Sequence, residues 1–153
     1  MKNHKLFSVG RYDLDEDLYF EPTTHLWVSR QADGRVQCGF DPLGAETSGD
    51  IVAVSFEAVG SVVGRGASLG HLEAAKFVGP VLAPVSGKIV AHNDVVLANP
   101  TEINRAPLER WLVELEPIDL EAELERLIHG REQVVSWFAA EIERFESKGM
   151  VAE

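Results

Sequence analysis

The sequence predicts a mainly β fold, a sandwich or barrel of short strands followed by a C-terminal helical hairpin. Between about residues 25 and 117, short runs rich in β-branched and aromatic residues alternate with turn signals at roughly 8- to 12-residue spacing. After Pro117 the apolar residues switch to helical spacing. We therefore expect three segments: a leader (1–24) that packs on the core, a β unit (25–117) and a helical extension (118–153).

The leader is mixed in composition and carries an acidic cluster followed by three apolar residues. The sequence is interpreted as an irregular segment that packs through the apolar residues. The acidic residues are Asp13, Asp15, Glu16 and Asp17, and the apolar ones are Leu18, Tyr19 and Phe20.

The β unit begins with a hairpin and a short helix. Asp33-Gly34 lies between two apolar runs, at 26–30 and 35–40, and is a strong hairpin signal. Residues 42–49 have the composition of a short helix that ends at Gly49. Further strands are expected at 51–56, 61–63, 67–72, 78–83, 88–92 and 111–116. Similar stretches at 59–63 and 85–90 suggest a quasi-repeat about the turn between them.

The C-terminal segment has the pattern of two amphipathic helices. Asp119 can cap the first, and Gly130 and Gly149 are placed to end the first and the second. We expect the hairpin to pack on the β unit or against a partner. The apolar faces are Leu120, Leu124, Leu127 and Ile128 in the first helix, and Val134, Phe138, Ile142 and Phe145 in the second.

Composition excludes several classes of function. The formal net charge of −11 disfavours nucleic acid and anionic membranes as partners, because both require clustered cations. No apolar run approaches the roughly 20 residues of a membrane span, and no signal peptide is evident, so we expect a cytoplasmic monomer. Cys38 is the single cysteine, lies in a strand-like run and is expected to be buried. The histidines lack metal-ligand spacing, so no metal site is expected.

Lys76 is the candidate functional residue. Glycines precede it, Pro-Val-Ser-Gly follows at 84–87, and the intervening residues are strand-like, so the lysine is expected at the tip of a tight turn. An exposed amine beside Glu73 stays protonated and is a poor nucleophile, which disfavours catalysis by Lys76 itself. Exposure on a stiff turn suits a lysine that another enzyme modifies. A solvated turn lysine without function remains the alternative at this point.

Residues 25–117 resemble the H protein of the glycine cleavage system, a relative of the biotinyl/lipoyl hammerhead domain. The family pattern places a Glu three residues before a modified lysine and glycines ten and sixteen residues before it, as Glu73, Gly66 and Gly60 stand relative to Lys76. Pro-Val-Ser-Gly begins eight residues after the lysine in both. Further matches are His25, Trp27, residues 49–52, Asn93, Asn99-Pro100 and Ile103-Asn104.

This resemblance implies a hammerhead β fold with quasi-two-fold symmetry and a covalent lipoyl group on Lys76. The chain would then be a carrier for partner enzymes and not itself an enzyme. Glu73 would be read by a lipoate ligase or lipoyltransferase, and Gly60 and Gly66 would belong to the same site. Phe77 could offer the dithiolane an apolar resting place or serve as hairpin packing.

Several departures from the H-protein pattern point to a subtype. Ala74 and Phe77 replace a common serine and alanine around the lysine, and Leu26 replaces the glutamate of His-Glu-Trp. The leader at 16–20 and the long C-terminal helices resemble the H-like lipoate-binding proteins of heterodisulfide-reductase-like sulfur oxidation. That likeness implies a carrier for such a complex, with the glycine cleavage enzymes as the alternative partners.

Two further alternatives stay open. A biotin carrier would favour Met on both sides of the lysine, where this chain has Ala75 and Phe77. An unmodified hammerhead domain could instead be an interaction module that works through its helices.

Overall fold

The computed structural model describes residues 5–151 and contains three antiparallel sheets. The strands are β1 (Leu6–Val9), β2 (Tyr12–Asp15), β3 (Tyr19–Phe20), β4 (Leu26–Arg30), β5 (Val36–Phe40), β6 (Ile51–Phe56), β7 (Val62–Val63), β8 (Ser68–Ala74), β9 (Val78–Leu82), β10 (Gly87–His92), β11 (Val113–Pro117) and β12 (Ile128–His129). The helices are α1 (Pro42–Ser48), α2 (Asp94–Ala98), α3 (Glu102–Arg105), α4 (Leu120–Leu124) and α5 (Arg131–Ser147).

The two larger sheets enclose the main core, and the mainly β prediction is confirmed. The seven-stranded sheet has the order β12-β3-β4-β5-β11-β10-β7, and the three-stranded sheet has the order β6-β8-β9. Both contribute fully buried side chains to one cluster, among them Val28, Cys38 and Leu115 from the first sheet and Ile51 and Leu72 from the second. Burial of such side chains is worth roughly 1.5–3 kcal/mol each.

A second core lies under α5. Val134 and Phe138 of this helix are buried against the β1–β2 hairpin, β3 and α1. Tyr12 meets Phe138 edge to face, with the ring centroids 5.6 Å apart. The C-terminal helix is therefore an integral layer of the molecule.

Local signals predicted the hairpin and α1 correctly. Gly34 has a φ of 90°, and the amide of Gln31 donates to the carbonyl of Arg35 at 2.8 Å, which closes the turn between β4 and β5. At α1, Asp41 accepts a hydrogen bond from the Gly44 amide at 2.8 Å and caps the helix.

The prediction of an irregular leader is wrong for the residues that the structure describes. β1 and β2 form a hairpin across Gly10, whose φ is 59°, and β3 pairs with β4. Tyr12 and Leu14 are buried while Asp13 between them is exposed, so the first acidic residue belongs to a strand alternation. Asp15 ends the strand and is buried, and Glu16 and Asp17 lie in the turn that follows. Residues 1–4 of this segment lie outside the described residues.

The predicted first C-terminal helix is also wrong in its extent. α4 ends at Leu124, and Ile128 and His129 pair as a strand with Phe20 and Tyr19. The free edge of β3 satisfies the backbone of this segment, and the His129 ring stacks on Tyr19 with centroids 3.8 Å apart. The segment therefore has one long helix, α5, in place of a helical hairpin. Residues 152–153 lie outside the described residues.

Between β10 and β11, two short helices were not predicted. Asn93 caps α2 by accepting from the Val95 amide, and α3 follows after Pro100. β11 accordingly begins at Val113, two residues later than expected. Within residues 5–151, none of the helices combines the length and the apolar character that crossing a membrane requires.

Candidate functional site

Lys76 lies at the tip of the turn between β8 and β9, and its side chain is exposed. The turn is closed by the Ala74 amide, which donates to the Phe77 carbonyl at 2.8 Å. Two more hydrogen bonds tie it to the end of α1 and the residues that follow: Lys76 N donates to Ser48 O at 2.9 Å and Ala75 N to Asp50 O at 3.0 Å. The backbone at the tip is thus fixed while the amine remains accessible.

Gly49 allows the Lys76 turn to lie close to the residues after α1. Its φ of 77° and ψ of −170° are accessible essentially to glycine alone. A Cβ at this position would lie 3.1 Å from Ala75 Cβ and 3.3 Å from Lys76 Cγ. Residues 49–50 therefore have a structural role at the Lys76 turn: Gly49 leaves room for the turn, and the Asp50 carbonyl accepts a hydrogen bond from it.

Glu73 is on β8, exposed, three residues before Lys76. It pairs with Ala53 on β6 and with Val78 on β9, and His71 lies on the same outer face. The carboxylate thus faces solvent on the sheet that carries the turn.

Gly60 and Gly66 do not lie beside Lys76. Gly66 precedes β8 at the end opposite the turn, and β8 has seven residues, which span roughly 20 Å. Gly60 follows the end of β6 that pairs with Gly70, and its amide donates to the carbonyl of Ile89. Their φ values of 97° and 86° explain glycine at these turns.

A cavity of about 390 Å³ opens beside the turn. Ser48 and Phe77, which adjoin Lys76 through the hydrogen bond and the chain, both line it. Its walls are mostly apolar, with threonine and serine side chains and His25 as the polar exceptions. The apolar side chains of the lining are those of Leu26, Phe40, Phe77, Pro80, Val81, Leu82 and Phe145.

Phe77 is 43% exposed and packs its ring against Gly79, where a Cβ would lie 3.1 Å from the ring. Phe77 therefore contacts the hairpin, as one of the two expectations has it, and it also forms part of the cavity wall.

His25 forms the most polar part of this wall. The side chain is buried, and its Nδ1 and Nε2 meet carboxylate oxygens of Asp41 and Glu141 at 2.7 and 2.8 Å. Burial lowers the pKa of His25, but the hydrogen bonds and charges of the two carboxylates outweigh that effect and raise the pKa above its usual value.

The carboxylate of Glu46 is influenced by the charge of Lys76. Burial raises the pKa of Glu46, but hydrogen bonds from Arg11 and Tyr12 outweigh that effect, so the net pKa is below its usual value. The charge of Lys76 adds to the lowering. Glu46 is therefore ionised at neutral pH. An amide on Lys76 would remove this small contribution to the lowered pKa of Glu46.

The single thiol takes no part in this site. Cys38 lies fully buried on β5, and burial raises its pKa to about 12. The expectation of a buried cysteine is confirmed.

An exposed lysine on a fixed β-turn, with an apolar cavity at its base, fits a group attached through an amide: the amine can be reached, and the cavity can receive an apolar ring. These features are the ones that a domain carrying a covalently bound cofactor requires. The comparisons with known proteins define the family.

Residues 18–138 match the family model of the glycine cleavage H-protein. A probable glycine cleavage system H protein of Pyrococcus furiosus is 35% identical over 126 residues, which cover 82% of this chain and 93% of that protein. The glycine cleavage system H protein 2 of Aquifex aeolicus is 32% identical over 122 residues, covering 79% and 76%. The chain belongs to the glycine cleavage H-protein family.

A solved structure agrees. The crystal structure of a glycine cleavage system H protein from Mycobacterium marinum superposes with a TM-score of 0.62 at 32% identity, covering 68% of this chain and 86% of that one. Proteins of this family carry a lipoyl group on a lysine and act as carriers rather than catalysts.

Sequence reasoning missed the carboxylate partners of His25. Glu141 is 116 residues away in the chain, and no local pattern links the two. Trp137 of α5 stacks on His25 with ring centroids 5.0 Å apart and donates a hydrogen bond to the Pro22 carbonyl.

Proposed function

We propose that this chain is a lipoate-binding carrier whose lipoyl group is attached to Lys76 and moves intermediates between enzymes. The observation that carries the proposal is the exposed amine on a turn fixed by three backbone hydrogen bonds. Lys88 lies within β10 between two paired strands, and Lys5 and Lys148 lie at the ends of the described chain. Among the described lysines, Lys76 therefore suits acylation best.

Glu73 supports recognition by a lipoate ligase or lipoyltransferase. Its carboxylate is exposed on the sheet that presents Lys76, so an enzyme that docks on the turn meets both side chains. A cationic side chain of that enzyme would pair with it at the rim of the contact.

A bound lipoyl group supplies a reversible disulfide, one sulfur of which can hold a carried group. The protein holds the attachment point still and offers the cavity beside Phe77 as a resting place. Tethering keeps the carried group at an effective concentration on the order of millimolar near a docked enzyme.

For the cargo, we propose transfer within sulfur oxidation by a heterodisulfide-reductase-like complex. The departures at Leu26, Ala74 and Phe77 and the long α5 support this assignment. The second candidate is transfer of the aminomethyl group in glycine cleavage, which the names of the relatives favour.

The attachment is tested by intact-mass measurement after incubation of the apo protein with lipoate, ATP and a lipoate ligase. One lipoyl addition is expected in the wild type and in Lys88→Arg, the control that removes a different exposed lysine, and none in Lys76→Arg. Survival of the modification in Lys76→Arg would contradict the proposal. A wild type that never accepts the group would favour the unmodified interaction module.

The cargo is tested by offering the lipoylated protein to purified glycine cleavage enzymes with glycine. The sulfur-oxidation assignment predicts little aminomethyl loading compared with a glycine cleavage H protein under the same conditions. Loading at a similar rate would overturn it and leave the lipoyl attachment intact.

A further inference from the structure

We propose that the last two turns of α5 form a wall of the cavity beside Lys76, and that Glu141 is the positioning residue that holds this wall through His25. The occupant of the cavity is the group attached to Lys76, so the inference rests on the proposed function and refines it.

Phe145 brings α5 into the cavity. It lines the same space as Phe77, and its ring meets the His25 ring edge to face with centroids 5.7 Å apart. The Ser48 carbonyl accepts a hydrogen bond from the Lys76 amide, and Ser48 also lines the cavity. An arm attached at Lys76 therefore starts at the rim of the cavity that Phe145 lines.

The contact between His25 and Glu141 is an ion pair by geometry. Both ring nitrogens face carboxylate oxygens, and an ionised carboxylate only accepts hydrogen bonds, so both nitrogens must donate. With both carboxylates ionised, this geometry requires His25 to be an imidazolium, in line with its raised pKa. Arg144 adds a bidentate pair to Glu141 at 2.9 Å for each bond, so two cations balance the carboxylates of Asp41 and Glu141.

His25 also occupies a strained backbone position. Its φ of 62° is the one positive value at a non-glycine residue within residues 5–151. Gly44 accommodates it, since a Cβ there would lie 2.9 Å from His25 Cβ. Such a conformation persists only where the surroundings over-determine it, and strained residues cluster at functional sites.

Glu141 and Phe145 lie beyond the residues that match the family model, which end at 138. The wall is therefore a feature that the match does not account for. The wall has a consequence for the arm: when the arm rests in the cavity, α5 covers one side and reduces the access of solvent and reagents. We call this reduced access shelter.

The experiment measures how fast iodoacetamide alkylates the reduced lipoyl dithiol of the full-length protein, after intact mass has shown the lipoyl group on Lys76. Rates are divided by that of free dihydrolipoamide at the same pH, which cancels the thiolate fraction. Cys38 is an internal check, because this buried thiol reacts only in molecules that unfold.

Glu141→Ala and Phe145→Ala are each expected to raise the normalised rate about tenfold, equivalent to ~1.4 kcal/mol of shelter. Glu143→Ala, an exposed residue of the same helix, should leave it unchanged. Wild-type rates in both variants, with Cys38 unmodified, would overturn the proposal. So would a wild-type arm that reacts as fast as free dihydrolipoamide.

A pH series separates the ion pair from plain packing. The charged groups that meet His25 are Asp41, which precedes α1, and Glu141 with Arg144 on α5. As pH rises, a neutral ring turns one lone pair towards a carboxylate, so the shelter should weaken in the wild type.

Glu141→Gln can donate to that lone pair and should keep the shelter at every pH. If Glu141→Ala unfolds, as alkylation of Cys38 would show, Glu141→Gln and Phe145→Ala still test the proposal. Parallel pH profiles in the wild type and Glu141→Gln would contradict the role of the pair. A protein without lipoate on Lys76 would instead refute the proposed function, and the mass measurement reports that first.

Discussion

At the scale of single residues, the site depends on what surrounds the Lys76 backbone more than on the amine itself. The amine is exposed, while the amide below it is held by Ser48 and the neighbouring turn residue by Asp50. Gly49 permits that contact, and Glu73 marks the outer face.

Replacing Glu73 with Gln should lower kcat/KM for lipoylation about tenfold, because a cationic side chain of the ligase loses an ionic partner worth ~1.4 kcal/mol. The same change at the exposed Glu132 on α5 is the control and should have no effect. The measurement is the initial rate of lipoyl addition at several protein concentrations. Equal rates for the two variants would remove Glu73 from the recognition site.

Gly49→Ala tests the seating of the turn. The backbone conformation and the contact with Ala75 should together cost about 1–3 kcal/mol of unfolding free energy and slow lipoylation. Gly34→Ala is the matched control, because Gly34 also has positive φ but a Cβ added there would meet no atom within 4 Å. Both should lower the urea midpoint, and only Gly49→Ala should slow lipoylation; equal lipoylation rates would contradict the argument.

At the scale of elements, the β8–β9 turn and α5 meet at one cavity although they belong to different layers. The turn extends from the three-stranded sheet and rests on the segment after α1. α5 covers the β1–β2 hairpin and reaches the cavity through Phe145. The His25 ring links the two through Asp41, next to α1, and Glu141, on α5.

The docking of α5 should make stability depend on pH. The pKa of His25 is raised in the folded chain, so its contribution is fully present below the ordinary histidine value and is lost as pH rises through the raised one. The pKa of Glu141 is lowered, chiefly by Arg144, so its contribution is lost as pH falls through that lowered value. The His25–Glu141 pair thus stabilises the fold most at pH values above the ordinary pKa of a glutamate and below the ordinary pKa of a histidine.

Urea unfolding across this range should show a fall in stability on the alkaline side in the wild type. Glu141→Gln should show a shallower fall, because the amide can hydrogen-bond to either form of the ring. Curves that run parallel from neutral to alkaline pH would mean that the His25–Glu141 pair contributes nothing to the docking of α5.

At the scale of the whole molecule, features encoded locally were predictable and those that depend on distant pairing were not. Asp33-Gly34 specifies a turn by itself, and the spacing around Lys76 placed that residue correctly at a turn tip. By contrast, the apolar residues of 120–128 have helical spacing, yet Ile128 forms a strand because it pairs with Phe20 at the edge of β3. The Glu141–His25 pair likewise arises only when α5 docks.

The central claim, a lipoyl group on Lys76, is tested most directly by peptide mapping of the protein purified from cells that synthesise lipoate. Trypsin cuts after lysine and arginine, and acylation blocks cleavage at the modified lysine. The account predicts one peptide spanning residues 66–88 with the lipoyl mass at Lys76. An unmodified peptide 66–76 from lipoylated protein, with the lipoyl mass on a peptide 77–105 that is uncut at Lys88 or on a peptide containing another lysine, would contradict it.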